Sequence, residues 1–271
     1  MSLELAMISP HTPRICHKDK VAAFQQPLVD AMVKTADLIE SLHPDVIVLV
    51  SCHWQSSFTH YVDATPRHKG VLTAVECPDI ITDVHYDFQG HPELAQELVE
   101  SGKSAGLKVE SINDETYMWD YGTVVPLRYL VKGDIPIVDL SVCQAASLEE
   151  TTKWGAVMAQ VFQETQLRVV FIASGALAHN LRRGPEFWPN ITEQALDREF
   201  CSYLVKGDTE SAAEMLPSYV RAAGVEAGGR HVAMLLGVLQ GNFAGRLHGY
   251  GPSSGSGNPV LTMQPVGATI S

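Results

Sequence analysis

Short apolar runs bounded by turn residues constrain the fold of this chain more than any other feature. Residues 46–50 and 169–173 are uninterrupted apolar runs rich in valine and isoleucine. Runs of this length and composition are typical of strands that are buried on both faces of a sheet. Before the first of them, residues 28–42 carry apolar side chains at helical spacing, which predicts an amphipathic helix. A buried sheet covered by such helices is therefore expected.

The same alternation continues along most of the chain. Strands are predicted at residues 5–8, 45–50, 107–112, 135–142 and 168–173. Helices are predicted at residues 28–42, after His91-Pro92-Glu93, and at 122–131, 148–162, 191–206, 209–222 and 231–239. This order predicts a single α/β domain over residues 1–271, with a central, mostly parallel or mixed sheet flanked by helices. Glycine, serine and proline crowd the end of the chain, so residues 249–271 are expected to form a C-terminal tail.

Charge and cysteine usage exclude several classes of function. The net charge of −12 argues against a basic face that binds nucleic acid, and no apolar run is long enough to span a bilayer. The five cysteines are scattered without a C-x-x-C pair, which predicts reduced thiols and a cytoplasmic protein. A serine hydrolase elbow is excluded because Ile172 stands where G-x-S-x-G requires glycine.

Three histidines directly follow predicted strands. His11 follows the first strand, His53 the second, and His179 the strand at residues 168–173. Ligands of open α/β sheets gather at the carboxyl ends of strands, so these side chains are expected to converge there. Each histidine alone also fits an ordinary loop position. Seven other histidines lack this placement and are predicted at the surface: His17, His43, His60, His68, His85, His91 and His248.

Five short motifs occur in a recognisable order. They are Ser9-Pro10-His11, Cys52-His53-Trp54, Tyr86-Asp87-Phe88-Gln89-Gly90-His91-Pro92-Glu93-Leu94-Ala95, Asp120-Tyr121-Gly122 leading to Val125-Pro126-Leu127, and Ser174-Gly175-Ala176-Leu177-Ala178-His179. Each motif alone is weak evidence for a family, but the ordered set resembles the class III extradiol dioxygenases of the protocatechuate 4,5-dioxygenase type. The resemblance covers about two-thirds of the chain, from residue 9 to residue 180.

This resemblance implies a non-haem Fe(II) site and cleavage of an aromatic ring by dioxygen. In that family two histidines and one carboxylate hold Fe(II), and other positions stay open for the substrate and dioxygen. The matching positions make His11 and His53 metal ligands. By the same matches, His179 is the catalytic base, and Tyr121 is a catalytic and substrate-binding residue that hydrogen-bonds the substrate.

The third ligand departs from the family pattern. The family places a glutamate near the start of the last core helix, one turn before a tryptophan. Residues 228–231 supply no carboxylate here, no tryptophan follows, and either a glycine or Arg230 falls near the ligand position. Glu226 is the only nearby carboxylate, and we expect it on a solvated loop. The sequence therefore predicts an incomplete site that binds Fe(II) weakly.

One branch of the family accommodates an incomplete site. The chain resembles the iron-lacking α subunits of 2-aminophenol 1,6-dioxygenases, which pair with a longer homologous catalytic subunit. The resemblance implies an α2β2 hetero-oligomer in which the partner binds Fe(II) and this chain is mainly structural. Two alternatives remain open. The chain is a self-sufficient dioxygenase that uses His11, His53 and Glu226, or it is a metal-free scaffold or binding protein.

Overall fold

A computed structural model describes residues 3–266, and its strands alternate with helices along most of that range. The strands are β1 (Leu3–Ser9), β2 (Val46–Ser56), β3 (His60–Asp63), β4 (Arg67–Leu72), β5 (Val84–Gln89), β6 (Val109–Ile112), β7 (Ile137–Cys143), β8 (Val169–Ser174), β9 (Phe243–Ser253) and β10 (Ser256–Pro265). The α-helices are α1 (Gln26–Ser41), α2 (Pro92–Ser104), α3 (Tyr121–Leu130), α4 (Leu148–Glu164), α5 (Ile191–Lys206), α6 (Thr209–Ala223) and α7 (Arg230–Val238). All the predicted helices are present, with ends shifted by at most a few residues.

Eight strands form one mixed sheet in the order β6-β3-β7-β2-β8-β1-β10-β9. Its centre is parallel, because β8 pairs in parallel with both β1 and β2, and β2 pairs in parallel with β7. Towards the edges β3 runs antiparallel to β7, and β10 runs antiparallel to β1 and β9. Strands β4 and β5 form a separate antiparallel pair. The predicted α/β class with a mixed sheet is confirmed.

The central strands bury side chains on both faces, which explains their uninterrupted apolar runs. One face, with Val48 and Phe171, packs against helices α2, α4, α5, α6 and α7. The other face, with Leu49 and Ile172, packs against α1 and α3. Within residues 3–266, none of the helices is both long enough and apolar enough to cross a membrane.

The segment expected as a C-terminal tail instead completes the sheet, so that expectation is wrong as far as residue 266. Strand β10 pairs with β1, and Val260, Leu261 and Met263 are buried. Close packing and a tight turn require glycine at two positions of this segment. A side chain at Gly257 would collide with the Asp197 carboxylate, and Gly255 turns the hairpin with φ of 88°. Residues 267–271 of the expected tail lie outside the described residues.

Strands β3, β4 and β5 were not predicted, and two histidines there are buried rather than on the surface. His60 is 0% exposed and His68 is 1% exposed. The ring of His68 stacks on Trp119 with centroids 4.5 Å apart and contacts the buried Asp63 carboxylate. These strands are short, β4 begins with three polar residues, and polar residues alternate along β5, so no apolar run marks them.

Helices α4 and α7 cross at two glycines. A Cβ at Gly155 would collide with the Met234 carbonyl oxygen, and a Cβ at Gly237 would collide with the Thr152 carbonyl oxygen. The two backbones can therefore approach closely only because these positions lack side chains. This contact fixes α7, and with it the turn that immediately precedes α7 in the chain.

Candidate metal centre

Three side chains from distant parts of the chain converge at the carboxyl end of the central strands. They are His11, His53 and Glu226, and one ligand atom from each lies within 4.8 Å of the others. The Glu226 Oε1 atom is 3.2 Å from His11 Nε2 and 3.4 Å from His53 Nε2. Two imidazole nitrogens and one carboxylate oxygen thus face a common point.

The two histidines are held by β1 and β2, the strands on either side of β8. His11 follows β1 in the turn Pro10-His11-Thr12-Pro13 and is 5% exposed. His53 lies inside β2, beyond the predicted strand end, where the pairing with β7 shifts register between Ser51 and Gln55. Such irregularities bend a strand and redirect side chains, and they are frequent beside functional sites. The irregularity accounts for a half-buried His53 within an otherwise buried strand.

Glu226 is buried against the histidines, so the expected solvated loop is wrong. It begins a short 3-10 turn, Glu226–Gly229, and is 5% exposed. Ala227 and Gly228 adopt left-handed backbone angles, with φ of 49° and 63°, which reverse the chain before α7. The backbone N–H of Ala176 donates a hydrogen bond to Glu226 Oε2 and holds the carboxylate inward.

Arg230 does not occupy the ligand position that sequence alignment of the helix suggested. Its guanidinium donates hydrogen bonds to the carbonyl oxygens of Gln144, Ala146 and Ala227. These contacts direct its charge to the loop that follows β7. Arg230 therefore places no positive charge at the cluster, and the left-handed turn brings Glu226 to it instead.

Each histidine ring is oriented by a second hydrogen bond. His11 Nδ1 lies 2.9 Å from Ser174 Oγ, and His53 Nδ1 lies 3.2 Å from Glu76 Oε1. Such outer partners orient a metal-binding histidine, and a carboxylate partner also raises its basicity. Neither Ser174 nor Glu76 was assigned a role from the sequence. No sequence motif marked Glu76 as a site residue, because it lies in the loop between β4 and β5.

The electrostatics of the cluster suit a cation. Burial alone would raise the pKa of Glu226, but the three neighbouring histidines outweigh it and hold that pKa well below its usual range. Burial lowers the pKa of His53, yet the negative charges of Glu226 and of nearby carboxylates raise it overall. His53 Nε2 is buried without a hydrogen-bond partner and points to the shared centre. An anionic oxygen and a free imidazole nitrogen together fit a divalent metal ion.

A cavity of about 250 Å³ opens beside the cluster and contains the two remaining predicted site residues. His179 Nε2 is 3.6 Å from Glu226 Oε1, and burial lowers the His179 pKa against the opposing charge of Glu226. The Tyr121 ring lies 4.0 Å from the His53 ring, centroid to centroid. Burial raises the pKa of Tyr121, so its hydroxyl keeps its proton at neutral pH and can donate. The structure therefore brings all five predicted site residues together.

Two further features of the site were not predicted. His231 is fully buried next to Gly175, where a Cβ would come within 2.6 Å of the imidazole, and burial lowers its pKa to about 4. This neutral ring packs behind the cluster. The hairpin of β9 and β10 also supplies cavity walls: Ser253, Ser254, Ser256 and Asn258. The sequence carried no sign of these walls because the segment was read as a tail.

Residues 5–259 match the family described as the catalytic LigB subunit of aromatic ring-opening dioxygenase. The chain belongs to this family. The match spans every residue of the cluster and the cavity described above, and the predicted likeness to class III extradiol dioxygenases is confirmed.

Several relatives of this chain are named for the reactions they catalyse. It is 25% identical to the 3,4-dihydroxyphenylacetate 2,3-dioxygenase of Escherichia coli, covering 79% of this chain and 81% of that protein. It is also 25% identical to both subunits of a Pseudomonas 2-aminophenol 1,6-dioxygenase. The matches cover 97% of this chain and 94% of the β subunit, and 96% of this chain and 98% of the α subunit.

The fold also has a solved counterpart. The crystal structure of an uncharacterized protein from Escherichia coli K12 superposes with a TM-score of 0.67 at 23% identity, covering 97% of this chain and 99% of that one. This likeness supports the single-domain α/β architecture.

Proposed function

We propose that this chain is itself a catalytic Fe(II)-dependent extradiol dioxygenase. Its substrate would be an aromatic ring with two adjacent donors, either two hydroxyls or a hydroxyl and an amine. The observation that carries the proposal is the convergence of His11, His53 and Glu226 on one point. This reverses the expectation of an iron-lacking chain, which rested on Glu226 being solvated.

The donor set matches the arrangement that non-haem Fe(II) oxygenases use. Two histidines and one carboxylate on one face leave other coordination positions for a chelating substrate and dioxygen. Bound Fe(II) would supply the Lewis-acidic, redox-active centre that ring opening by dioxygen needs. His11, His53 and Glu226 would hold it, with Ser174 and Glu76 orienting the two imidazoles.

The chain's own side chains account for binding and proton transfer. His179 Nε2 faces the cluster, and its lowered pKa keeps the ring neutral near pH 7, so it can accept a proton from a substrate hydroxyl. The protonated Tyr121 hydroxyl, in the cavity wall beside His53, would donate a hydrogen bond to the substrate. The buried strand ends and the β9–β10 hairpin would limit access of water to the reacting atoms.

The proposal is tested with the chain purified without any partner and loaded with Fe(II) under anaerobic conditions. About one iron per chain is expected, followed by ring opening of catechol or 2-aminophenol when oxygen is admitted. Metal analysis and the absorbance of the ring-opened product measure the two steps. The matched control is a His11→Ala, His53→Ala double variant. Iron content and turnover no higher than in that variant would contradict the proposal.

A second candidate role is pairing with a longer homologous subunit. The chain matches the α subunit of a two-subunit dioxygenase over nearly the full length of both proteins. Two aromatic side chains near the cavity are also exposed, Phe187 at 47% and Trp188 at 44%. Exposed aromatic residues are enriched at the centres of protein interfaces. Assembly of this kind is compatible with a catalytic chain.

Replacing Trp188 with alanine tests this pairing. The Trp188 ring lies against that of Tyr250, with centroids 5.8 Å apart, and 44% of the residue is exposed. Because it is not part of the buried core, its removal should leave the fold intact. If it is an interface anchor, association with a co-expressed longer homologue should weaken by roughly 2 kcal/mol. The control is Phe58→Ala, which removes a 75% exposed aromatic from the loop between β2 and β3. Equal co-purification of both variants, or unfolding of Trp188→Ala, would rule Trp188 out.

A second aromatic segment, at residues 117–119, is a weaker interface candidate than Phe187 and Trp188. Trp119 is 1% exposed, stacks between His68 and Tyr86, and donates from its indole nitrogen to Asp63. It belongs to the core of the domain. Met118 is 49% exposed there, and Tyr117 is partly buried.

A further inference from the structure

We propose that the cavity selects aromatic rings that carry no negatively charged substituent, and that Glu76 is the residue that sets this selectivity. The inference rests on the proposed function, because it takes the cavity to be the ring-binding site. It adds the chemical class of the substrate and names a specificity-determining residue.

The cavity offers no positive side chain to a substrate carboxylate. Its described walls contain no lysine or arginine. Away from the histidine cluster its polar walls are uncharged hydroxyls and an amide: Thr12, Ser253, Ser254, Ser256 and Asn258. A carboxylate that leaves water for such a wall loses hydration without gaining an ion pair, which is unfavourable.

Two exposed arginines, Arg14 and Arg182, directly follow wall residues in the chain, but neither is part of the described cavity wall. Arg182 follows the wall residue Leu181 and is exposed. Its backbone N–H donates to the Ser254 carbonyl oxygen, and its side-chain stem lies over Gly255 on the hairpin. The guanidinium is not part of the described cavity wall.

Glu76 adds a negative charge at the open side of the cavity. Its carboxylate lies 3.2 Å from His53 Nδ1, while 57% of its side chain is exposed. It therefore places a solvent-exposed carboxylate on the cavity wall, beside one of the proposed metal ligands. Glu226 differs because its charge is enclosed by three histidines. Glu76 is the carboxylate left to repel an anionic substituent.

The expected size of the effect follows from simple electrostatics. Two like charges several ångström apart near a protein surface repel by an amount comparable to about a tenfold change in affinity, or about 1.4 kcal/mol. The loss of hydration adds to this. The selectivity is opposite to what the name of the 3,4-dihydroxyphenylacetate 2,3-dioxygenase indicates for that relative, whose substrate carries a carboxylate.

The test compares two ligands that differ mainly in charge. Binding of 4-methylcatechol and of 3,4-dihydroxybenzoate is measured anaerobically by calorimetry on the protein saturated with Fe(II). The wild-type chain should bind the neutral ring at least about tenfold more tightly. Because oxygen is absent, the readout is affinity and does not require turnover.

Glu76→Gln isolates the charge from the hydrogen bond. The amide oxygen of glutamine can still accept from His53 Nδ1, so the ring orientation is kept while the charge is lost. The preference for the neutral ring should shrink by roughly three- to tenfold. The control is Asp79→Asn, which removes an exposed carboxylate from the same loop but away from the cavity wall. It should leave the ratio of affinities unchanged.

The outcomes separate this inference from the proposed function. Equal affinity for both rings, or an unchanged ratio in Glu76→Gln, overturns this inference alone. A shift of equal size in Asp79→Asn also overturns it, because the selectivity would then reflect net charge. Failure of both rings to bind overturns the proposed function together with it. Saturation with Fe(II) keeps the ratio interpretable if Glu76→Gln weakens metal affinity.

Discussion

Glu226→Gln is expected to abolish stoichiometric iron binding by the purified chain. The carboxylate is the one anionic group of the described cluster, and an amide oxygen is a weaker ligand for Fe(II). Loss of a group that only hydrogen-bonds to a ligand weakens metal binding by about 10- to 100-fold. Loss of a ligand itself should exceed that. Anaerobic titration with Fe(II), followed by metal analysis, measures the change.

The substitution should leave the fold in place. Glutamine has nearly the same volume, and its amide oxygen can still accept the Ala176 N–H hydrogen bond that holds Glu226 inward. The control is Glu93→Gln, which alters a carboxylate that is 84% exposed at the start of α2. If Glu226→Gln keeps full iron content and ring-opening activity, Glu226 is not a ligand.

His179→Asn is expected to slow ring opening while leaving metal binding intact. General acid–base catalysis by one positioned side chain typically contributes about 10²- to 10⁴-fold, so turnover should fall within that range. His179 lies 3.6 Å from Glu226 but is not one of the three residues whose ligand atoms converge. Iron content and anaerobic catechol affinity should therefore remain near those of the wild-type chain.

Turnover, iron content and ring affinity are measured on the same preparation. A loss of catalysis is then distinguished from a loss of metal or of substrate binding. The control is His85→Asn, which alters a histidine whose side chain is 77% exposed on β5. Loss of iron from His179→Asn would show that His179 is a ligand rather than a base. Unchanged turnover would show that another group accepts the proton.

Most of the architecture could be predicted because apolar runs mark the strands that pack on both faces. Residues 46–50 and 169–173 lie in the parallel centre of the sheet, as their composition indicated. Strands outside the centre of the main sheet have weaker apolar patterns in their sequence. β4 alternates exposed and buried side chains, and β9 and β10 contain glycines that accommodate close contacts, such as Asp197 against Gly257. Local composition therefore resembled that of a loop or a tail.

The sequence by itself determined the order of the helices and of the central parallel strands, and it identified His11, His53 and His179 at predicted strand ends. These follow from local patterns, because a strand end and the residue after it are close in the chain. Only the tertiary structure decided that Glu226 completes the cluster. Glu226 lies 215 residues from His11 in the chain, and its carboxylate faces inward through a left-handed turn and the Ala176 N–H. Ser174 and Glu76 likewise acquire roles only through contacts that folding creates, so no local pattern could reveal them.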